Sequence, residues 1–130
     1  MSNQVRNLNW FSEHLKSNLD VQITPLSQAA YLGRYKIVQI LIENFPQLDL
    51  DIATKDNGYT PISAACMGGH FDVMALLAEN GADVNKVDLM EQSPLIYCFS
   101  RLNEDENYYE NKALALKMSE ILLAYGADIN

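Results

Sequence analysis

A short block of sequence occurs three times along the chain, and that repetition constrains the fold more than any other feature. Thr24-Pro25-Leu26-Ser27-Gln28-Ala29-Ala30 reappears 36 residues later as Thr60-Pro61-Ile62-Ser63-Ala64-Ala65-Cys66. After another 33 residues a third copy opens Ser93-Pro94-Leu95-Ile96-Tyr97-Cys98-Phe99. A second marker, Gly81-Ala82-Asp83-Val84-Asn85, comes back 45 residues on as Gly126-Ala127-Asp128-Ile129-Asn130, one period plus an insertion of 12. A chain of 130 residues with such a period is expected to form one stack of like units, not two independent domains.

Each unit carries the signals of a helix pair. Proline suits the first turn of a helix, where a missing N–H costs nothing, and the Thr or Ser before it can cap the free amides. Ala29, Ala30, Ala64 and Ala65 are small enough for helices to approach closely. Downstream lie apolar stripes at spacings of 3 and 4: Ile37, Val38, Ile40 and Leu41, then Val73, Met74, Leu76 and Leu77, then Met118, Ile121 and Leu122. Gly33 and Gly69 are placed to turn the chain between the two helices, and Gly81 and Gly126 to stop the second one.

These residues resemble the ankyrin repeat, whose pattern runs Asp-x-x-Gly-x-Thr-Pro-Leu-His-x-Ala-Ala-x-x-Gly-His, then an aliphatic helix, then Gly-Ala-Asp-Val-Asn. The copy from Lys55 to Asn85 fits best, with Gly58, Thr60, Pro61, Gly69, His70 and the Gly81–Asn85 run in register. The resemblance covers about 24–130 and implies an all-α solenoid of helix-turn-helix units with finger loops. The expected division is an N-terminal cap helix over 1–23 and repeats over 24–59, 60–92 and 93–130, the last with an insertion at about 102–113. In the cap, Val5, Leu8, Phe11, Leu15 and Leu19 form a helical stripe with Trp10 beside it.

Departures from the pattern carry expectations of their own. Ser27, Ser63 and Ile96 stand where the family favours histidine, which weakens the usual hydrogen-bonded link. Glu91 replaces the turn glycine matched by Gly58, so the second finger is not expected to turn tightly. Asn44-Phe45-Pro46-Gln47-Leu48-Asp49-Leu50-Asp51 replaces the Gly-Ala-Asp-Val-Asn run of the first repeat, and Pro46 should end the outer helix there. In the third repeat an inner helix from Pro94 to about Arg101 leads into Asn103-Glu104-Asp105-Glu106-Asn107-Tyr108-Tyr109-Glu110. A longer outer helix should follow, with Leu114, Met118, Ile121, Leu122 and Tyr125 on one face.

Charge excludes some partners. Nine Lys and Arg stand against 17 Asp and Glu, for a net charge of -8. That balance argues against nucleic acid and against an anionic membrane surface. No apolar run approaches the roughly 20 residues of a membrane span, and the first residues lack the layout of an export signal. Two cysteines in apolar, small-residue surroundings point to a reducing, cytoplasmic compartment.

No catalytic constellation is found. His70 sits at a recurring structural position of the repeat, and His14 lies on the cap helix. Cys66 and Cys98 replace inner-helix alanines and read as core thiols. The chain has no CxxC pair, HExxH, GxSxG or phosphate-cradling loop, and Glu104-Asp105-Glu106 lacks the spacing of a calcium loop. Neither metal nor cofactor is expected.

The resemblance instead implies a binding surface on finger tips and inner helices. By position, the fingers offer Asp56, Asn57 and Tyr59, then Leu89, Met90 and Gln92. The inner helices offer Tyr31 and Leu32, Met67 and Gly68, then Ser100 and Arg101. Tyrosine, methionine and arginine are enriched at interfaces. Leu89-Met90 is the sharpest case, because a loop tip has no folding reason to be apolar unless the pair tucks under its finger. Tyr108 and Tyr109 within the acidic insertion form a second candidate, suited to a basic partner. Leu77, Asp83, Val84 and Asn85 also match the pattern that asparaginyl hydroxylases recognise in some ankyrin proteins, and Leu122 with Asp128-Ile129-Asn130 is similar. The alternative is that Asn85 bonds the backbone of its own turn. The expected function is a non-catalytic module that binds another protein. The alternative is an N-terminal targeting segment of a larger enzyme or of a bacterial effector acting in host cytoplasm.

Overall fold

The computed structural model describes residues 24–103 and 108–129. The cap helix expected over 1–23 and the acidic stretch Glu104–Glu106 lie outside the described residues. Among the described residues six α-helices follow one another: α1 (Pro25–Tyr31), α2 (Tyr35–Asn44), α3 (Pro61–Gly68), α4 (Phe71–Glu79), α5 (Pro94–Cys98) and α6 (Tyr108–Ala124). A short 3-10 turn, Ser100–Asn103, follows α5. No strand occurs among the described residues. The helices pair as α1/α2, α3/α4 and α5/α6. Within the stack, α1 packs on α3 and α3 on α5 in an inner row, while α2 packs on α4 and α4 on α6 in an outer row.

Local chemistry opens and closes these helices. The Thr24 hydroxyl accepts from the Ser27 N–H at 3.1 Å. Thr60 and Ser63 form a reciprocal capping box, in which Ser63 Oγ accepts from the Thr60 N–H at 2.9 Å. Ser63 thus supplies the link that its departure from histidine was expected to weaken. Ser27 does not: its buried Oγ has no hydrogen-bond partner. The inner helices α1 and α3 end alike, with Arg34 N–H on Ala29 O and His70 N–H on Ala65 O, both at 2.9 Å. Gly33, at φ 71°, makes that exit possible, and a Cβ there would overlap the His70 imidazole. His70 therefore wedges between consecutive repeats, the structural place expected of it. After α5 the position of Gly33 and Gly69 is taken by Leu102, in the 3-10 turn. The α-helix stops at Cys98 and the chain leaves through the 3-10 turn, so the inner helix is shorter than the span to Arg101 expected from sequence.

The outer helices α2 and α4 run 10 and 9 residues, and α2 stops at Asn44 just before Pro46. Helix α6 runs 17 residues, so residues 108–111 of the insertion are helical rather than loop. Its buried face is Ala115, Met118, Ser119 and Leu122, with Leu114 and Ile121 partly covered. Tyr125 falls past the last helical residue and stays exposed, so it does not join that face.

The core runs between the two rows: Leu26, Val38, Leu41, Ile62, Val73, Met74, Leu77, Met118 and Leu122 are all shielded from solvent. Ile40 departs from expectation. Val38 and Leu41 take the core face of α2, and the turn between them leaves Ile40 only half-buried. Cys66 and Cys98 are buried free thiols, with Cys66 Sγ 3.4 Å from Met74 Sδ. A hydrogen bond with Cys98 and burial push the Cys66 thiol well up, which keeps it neutral.

Leu77→Ala should destabilise the protein by about 2–5 kcal/mol, whereas Ile40→Ala should cost under about 2 kcal/mol. Chemical denaturation of the two variants checks the ordering.

Candidate functional site

Consecutive repeats are tied by hydrogen bonds that recur at the repeat period. Asp51 Oδ1 accepts the Asp83 N–H at 2.8 Å, and Asn85 Oδ1 accepts the Asp128 N–H at 2.8 Å. Asn85 adds a bond from Nδ2 to Gly126 O at 3.0 Å, and Lys86 Nζ reaches back to Asp51 O at 2.7 Å. Both polar atoms of the Asn85 amide are thus engaged by the following repeat. Its own turn contributes only the bond from the Asn85 N–H to Asp83 Oδ1.

Three residues beyond each rung, a finger begins. In the first, the Thr54 N–H donates to Tyr59 O at 3.0 Å. The Thr54 hydroxyl accepts the Tyr59 N–H, also at 3.0 Å. Gly58 sits inside at φ 72°. In the second finger Asp88 takes the place of Thr54 and Glu91 the place of Gly58. The expectation of a loose turn is overturned: Asp88 N–H bonds Gln92 O at 3.1 Å and Glu91 N–H bonds Asp88 O at 3.0 Å. Glu91 is the one described non-glycine residue with positive φ, at 60°. A left-handed conformation there costs on the order of 1–2 kcal/mol, and the Asp88 carboxylate offsets it. That buried carboxylate accepts from Met90 N–H at 2.8 Å, from Gln92 N–H at 3.0 Å and from the Tyr97 hydroxyl.

Burial works against the charge on Asp88, but these three donors outweigh it and hold the carboxyl below its usual value. Tyr97 moves the other way: burial and the Asp88 carboxylate push its phenol far above the usual tyrosine range. Tyr97 also meets the Tyr59 ring edge-on, with centroids 5.8 Å apart. The two fingers join directly through Leu89 N–H to Asn57 O at 3.0 Å. Asp88 and Tyr97 escaped the sequence reading. An aspartate where the first finger has Thr54, followed three residues later by a non-glycine turn residue, was the available signal.

Three of the residues singled out from sequence come together. Tyr31 on α1, Tyr59 on the first finger and Met67 on α3 surround a recess of about 200 Å³, completed by Ser27, Thr54 and Ala64. Its walls are aromatic, aliphatic and hydroxyl groups, so it can receive an apolar side chain. Leu32 is exposed next to Tyr31. Asp56 and Asn57 are exposed at the first tip. Leu89 and Met90 are exposed at the second tip, Met90 by 74%, so neither tucks under its finger. Gln92 closes the base of that finger through Asp88. Gly68 ends α3, where a Cβ would overlap Tyr31 O. Ser100 and Arg101 fall in the 3-10 turn. Tyr108 and Tyr109 lie elsewhere, in the first turn of α6 on the outer row. Their rings meet edge-on at 5.5 Å, and Tyr109 is 84% exposed. Among the described residues, no group of three His, Cys, Asp or Glu is arranged to hold a metal, and no helix is long and apolar enough to cross a membrane.

Fold, rungs and fingers together define an ankyrin-repeat domain, and the chain belongs to that family: the profile for ankyrin repeats in three copies matches residues 2–88 and 26–130. The family is typically a non-catalytic interaction fold. Among relatives, the chain is 46% identical over 46 residues to an ankyrin repeat-containing protein of Schizosaccharomyces pombe, covering 35% of this chain and 22% of that protein. It is 41% identical over 61 residues to alpha-latrocrustotoxin-Lt1a of Latrodectus tredecimguttatus, covering 47% of this chain and 4% of the toxin. The human ASB11 ankyrin repeat domain superposes with a TM-score of 0.65 at 29% identity, over 82% of this chain and 41% of that one. The chain therefore spans only a minor part of the length of these relatives.

The second finger makes two predictions. Glu91→Gly should stabilise the protein by about 0.5–1 kcal/mol in urea denaturation, because glycine adopts the left-handed conformation freely. Asp88→Asn should destabilise it, and the difference from the parent should depend on pH. With a folded pKa below the unfolded one, the contribution of Asp88 is complete above the ordinary aspartate value of about 3.9. It is lost as pH falls through the depressed value. Denaturation curves from pH 7 down to pH 2 should therefore converge at the acid end.

Proposed function

We propose that this chain is a protein-binding module whose contact surface is the concave side of the stack, centred on the recess between Tyr31, Tyr59 and Met67. The convergence of these three residues from three separate elements carries the proposal. A partner would insert one aliphatic or aromatic side chain there, and the exposed Leu89 and Met90 would extend the apolar contact along the fingers. Ankyrin repeats generally bind other proteins, which supports the class of partner. Exposed Asp56 and Glu91 at the two tips, within a chain of net charge -8, favour a partner segment that is basic around its apolar anchor. Two buried, unpaired thiols favour a reducing compartment such as the cytoplasm.

A second reading places the same surface in a targeting module of a larger protein. The observation favouring it is the small share of the relatives that aligns, 22% and 4% of their lengths. The groove would then deliver an activity encoded elsewhere to its target.

Peptide display against the full chain tests the groove. Met67→Glu and Tyr59→Ala should each weaken a selected peptide by roughly tenfold or more, as for a central anchor pocket, while Lys112→Ala on the outer row leaves it unchanged. Selected peptides should be enriched in Lys and Arg around one apolar residue, and higher salt should slow their association. If peptides bind equally well to the two groove variants, with thermal melting unaltered, the groove is not the site.

A further inference from the structure

Serine stands at the same place in the first two repeats, and the two hydroxyls have different fates. Ser63 Oγ accepts from the Thr60 N–H at 2.9 Å and donates to Thr60 O at 3.0 Å, so it is engaged by the cap of its own helix. Ser27 is just as enclosed, at 1% exposure, but its Oγ has no hydrogen-bond partner. A buried hydroxyl left unpaired is costly, and the large majority of buried polar side-chain atoms do have a partner. Ser27 is also one of the six residues around the recess between Tyr31, Tyr59 and Met67, whereas Ser63 is not. The unsatisfied hydroxyl therefore belongs to a residue of the recess, and the satisfied one does not.

Ser27 and Tyr31 lie four residues apart on α1, hence on one face. A helical side chain leans back over the turn before it, which places Tyr31 over Ser27 and accounts for the shielding of the hydroxyl from solvent. Tyr31 is itself 48% exposed at the last residue of α1. Exposed side chains change rotamer within nanoseconds, so Tyr31 can turn aside and uncover Ser27. Resting on the groove reading above, we infer that the recess is specific for a tyrosine of the partner, whose ring fills the space beside Tyr59 and Met67 and whose hydroxyl pairs with Ser27 Oγ.

Elimination leads to that anchor. A charged tip is excluded because none of the six lining residues carries a charge to pair with, and an isolated ion would lose its hydration there. Phenylalanine and the aliphatic residues fill the recess but leave Ser27 unpaired. Asparagine and glutamine bring more polar atoms than one hydroxyl satisfies. Threonine pairs with Ser27 but leaves much of the space of about 200 Å³ unfilled. Tryptophan carries its N–H on the flank of a larger ring system and cannot accept. Tyrosine meets both demands: its ring suits the aromatic and thioether walls, and its hydroxyl both donates and accepts.

The test selects from a library of short peptides, each with one randomised anchor between basic flanks, displayed against the full chain. Selected anchors should be tyrosine, and calorimetric titration then compares each peptide with its phenylalanine counterpart. On the parent protein, loss of the peptide hydroxyl should weaken binding by about tenfold, the scale of one buried hydrogen bond left unmade. On Ser27→Ala the two peptides should bind within about twofold of each other. Thermal melting without peptide gives an independent reading. Ser27→Ala should melt at or above the parent temperature, because it removes an unpaired hydroxyl, and Ser63→Ala below it, because it breaks the capping box. A drop for Ser27→Ala comparable to that for Ser63→Ala would show the hydroxyl already paired and overturn the assignment. Selection of aliphatic or phenylalanine anchors, or a tyrosine preference that survives in Ser27→Ala, overturns it too while leaving the groove in place. If display yields no binding peptide, the groove reading fails and this specificity fails with it.

Discussion

A helix pair of this size cannot bury both of its faces by itself, and the whole structure follows from that deficit. Helix α3 is only eight residues long, yet Pro61 through Cys66 are all buried, because α1 covers one side and α5 the other. Isolated helices of such length do not persist in water, so what holds them is contact with neighbouring repeats rather than helix propensity. Small residues make that contact close. Ala29, Ala30 and Ala65 are wholly enclosed, and His70 wedges its ring against Gly33 and Gly68 where the repeats meet. Apolar burial supplies the cohesion, and the Asp51 and Asn85 rungs fix the register in which it occurs.

Much of the fold was legible because its signals act locally. A Thr-Pro pair selects a helix start whatever surrounds it, and Gly33, Gly69, Gly81 and Gly126 all adopt the positive φ expected of them. The misreadings have a different origin. Glu91 looked unfit for a tight turn because the group that holds the turn, the Asp88 carboxylate, is itself fixed by a tyrosine nine residues ahead in sequence. Ile40 looked equivalent to Val38, since periodicity alone does not say where the edge of a helix face falls. The neighbours decide, and α4 and the inner row cover Val38 and Leu41 instead. Ala115 and Ser119 went unremarked for the same reason, since small residues become core only when another helix reaches them.

The candidate site divides along the same line. Tyr31, Tyr59 and Met67 were identifiable one at a time from their positions in the repeat, but their shared recess depends on the distance between α1, α3 and the first finger. Tyr97 contributes from beneath, since its ring braces Tyr59 while its hydroxyl holds Asp88. One side chain thus stiffens both fingers. That arrangement lowers the ordering cost that a partner would otherwise meet on binding to mobile loops.

The two rungs differ by a single atom, and the difference bears on chemical ageing. Asparagine loses its side-chain amide over time and becomes aspartate. At Asn85 that change would preserve the oxygen that accepts the Asp128 N–H and remove the donor that reaches Gly126 O. The junction between the first two repeats already works in this form, with Asp51 holding the Asp83 N–H through a carboxylate. Deamidation at Asn85 would therefore reproduce a rung that the stack already tolerates, and add one negative charge to the edge where the repeats join.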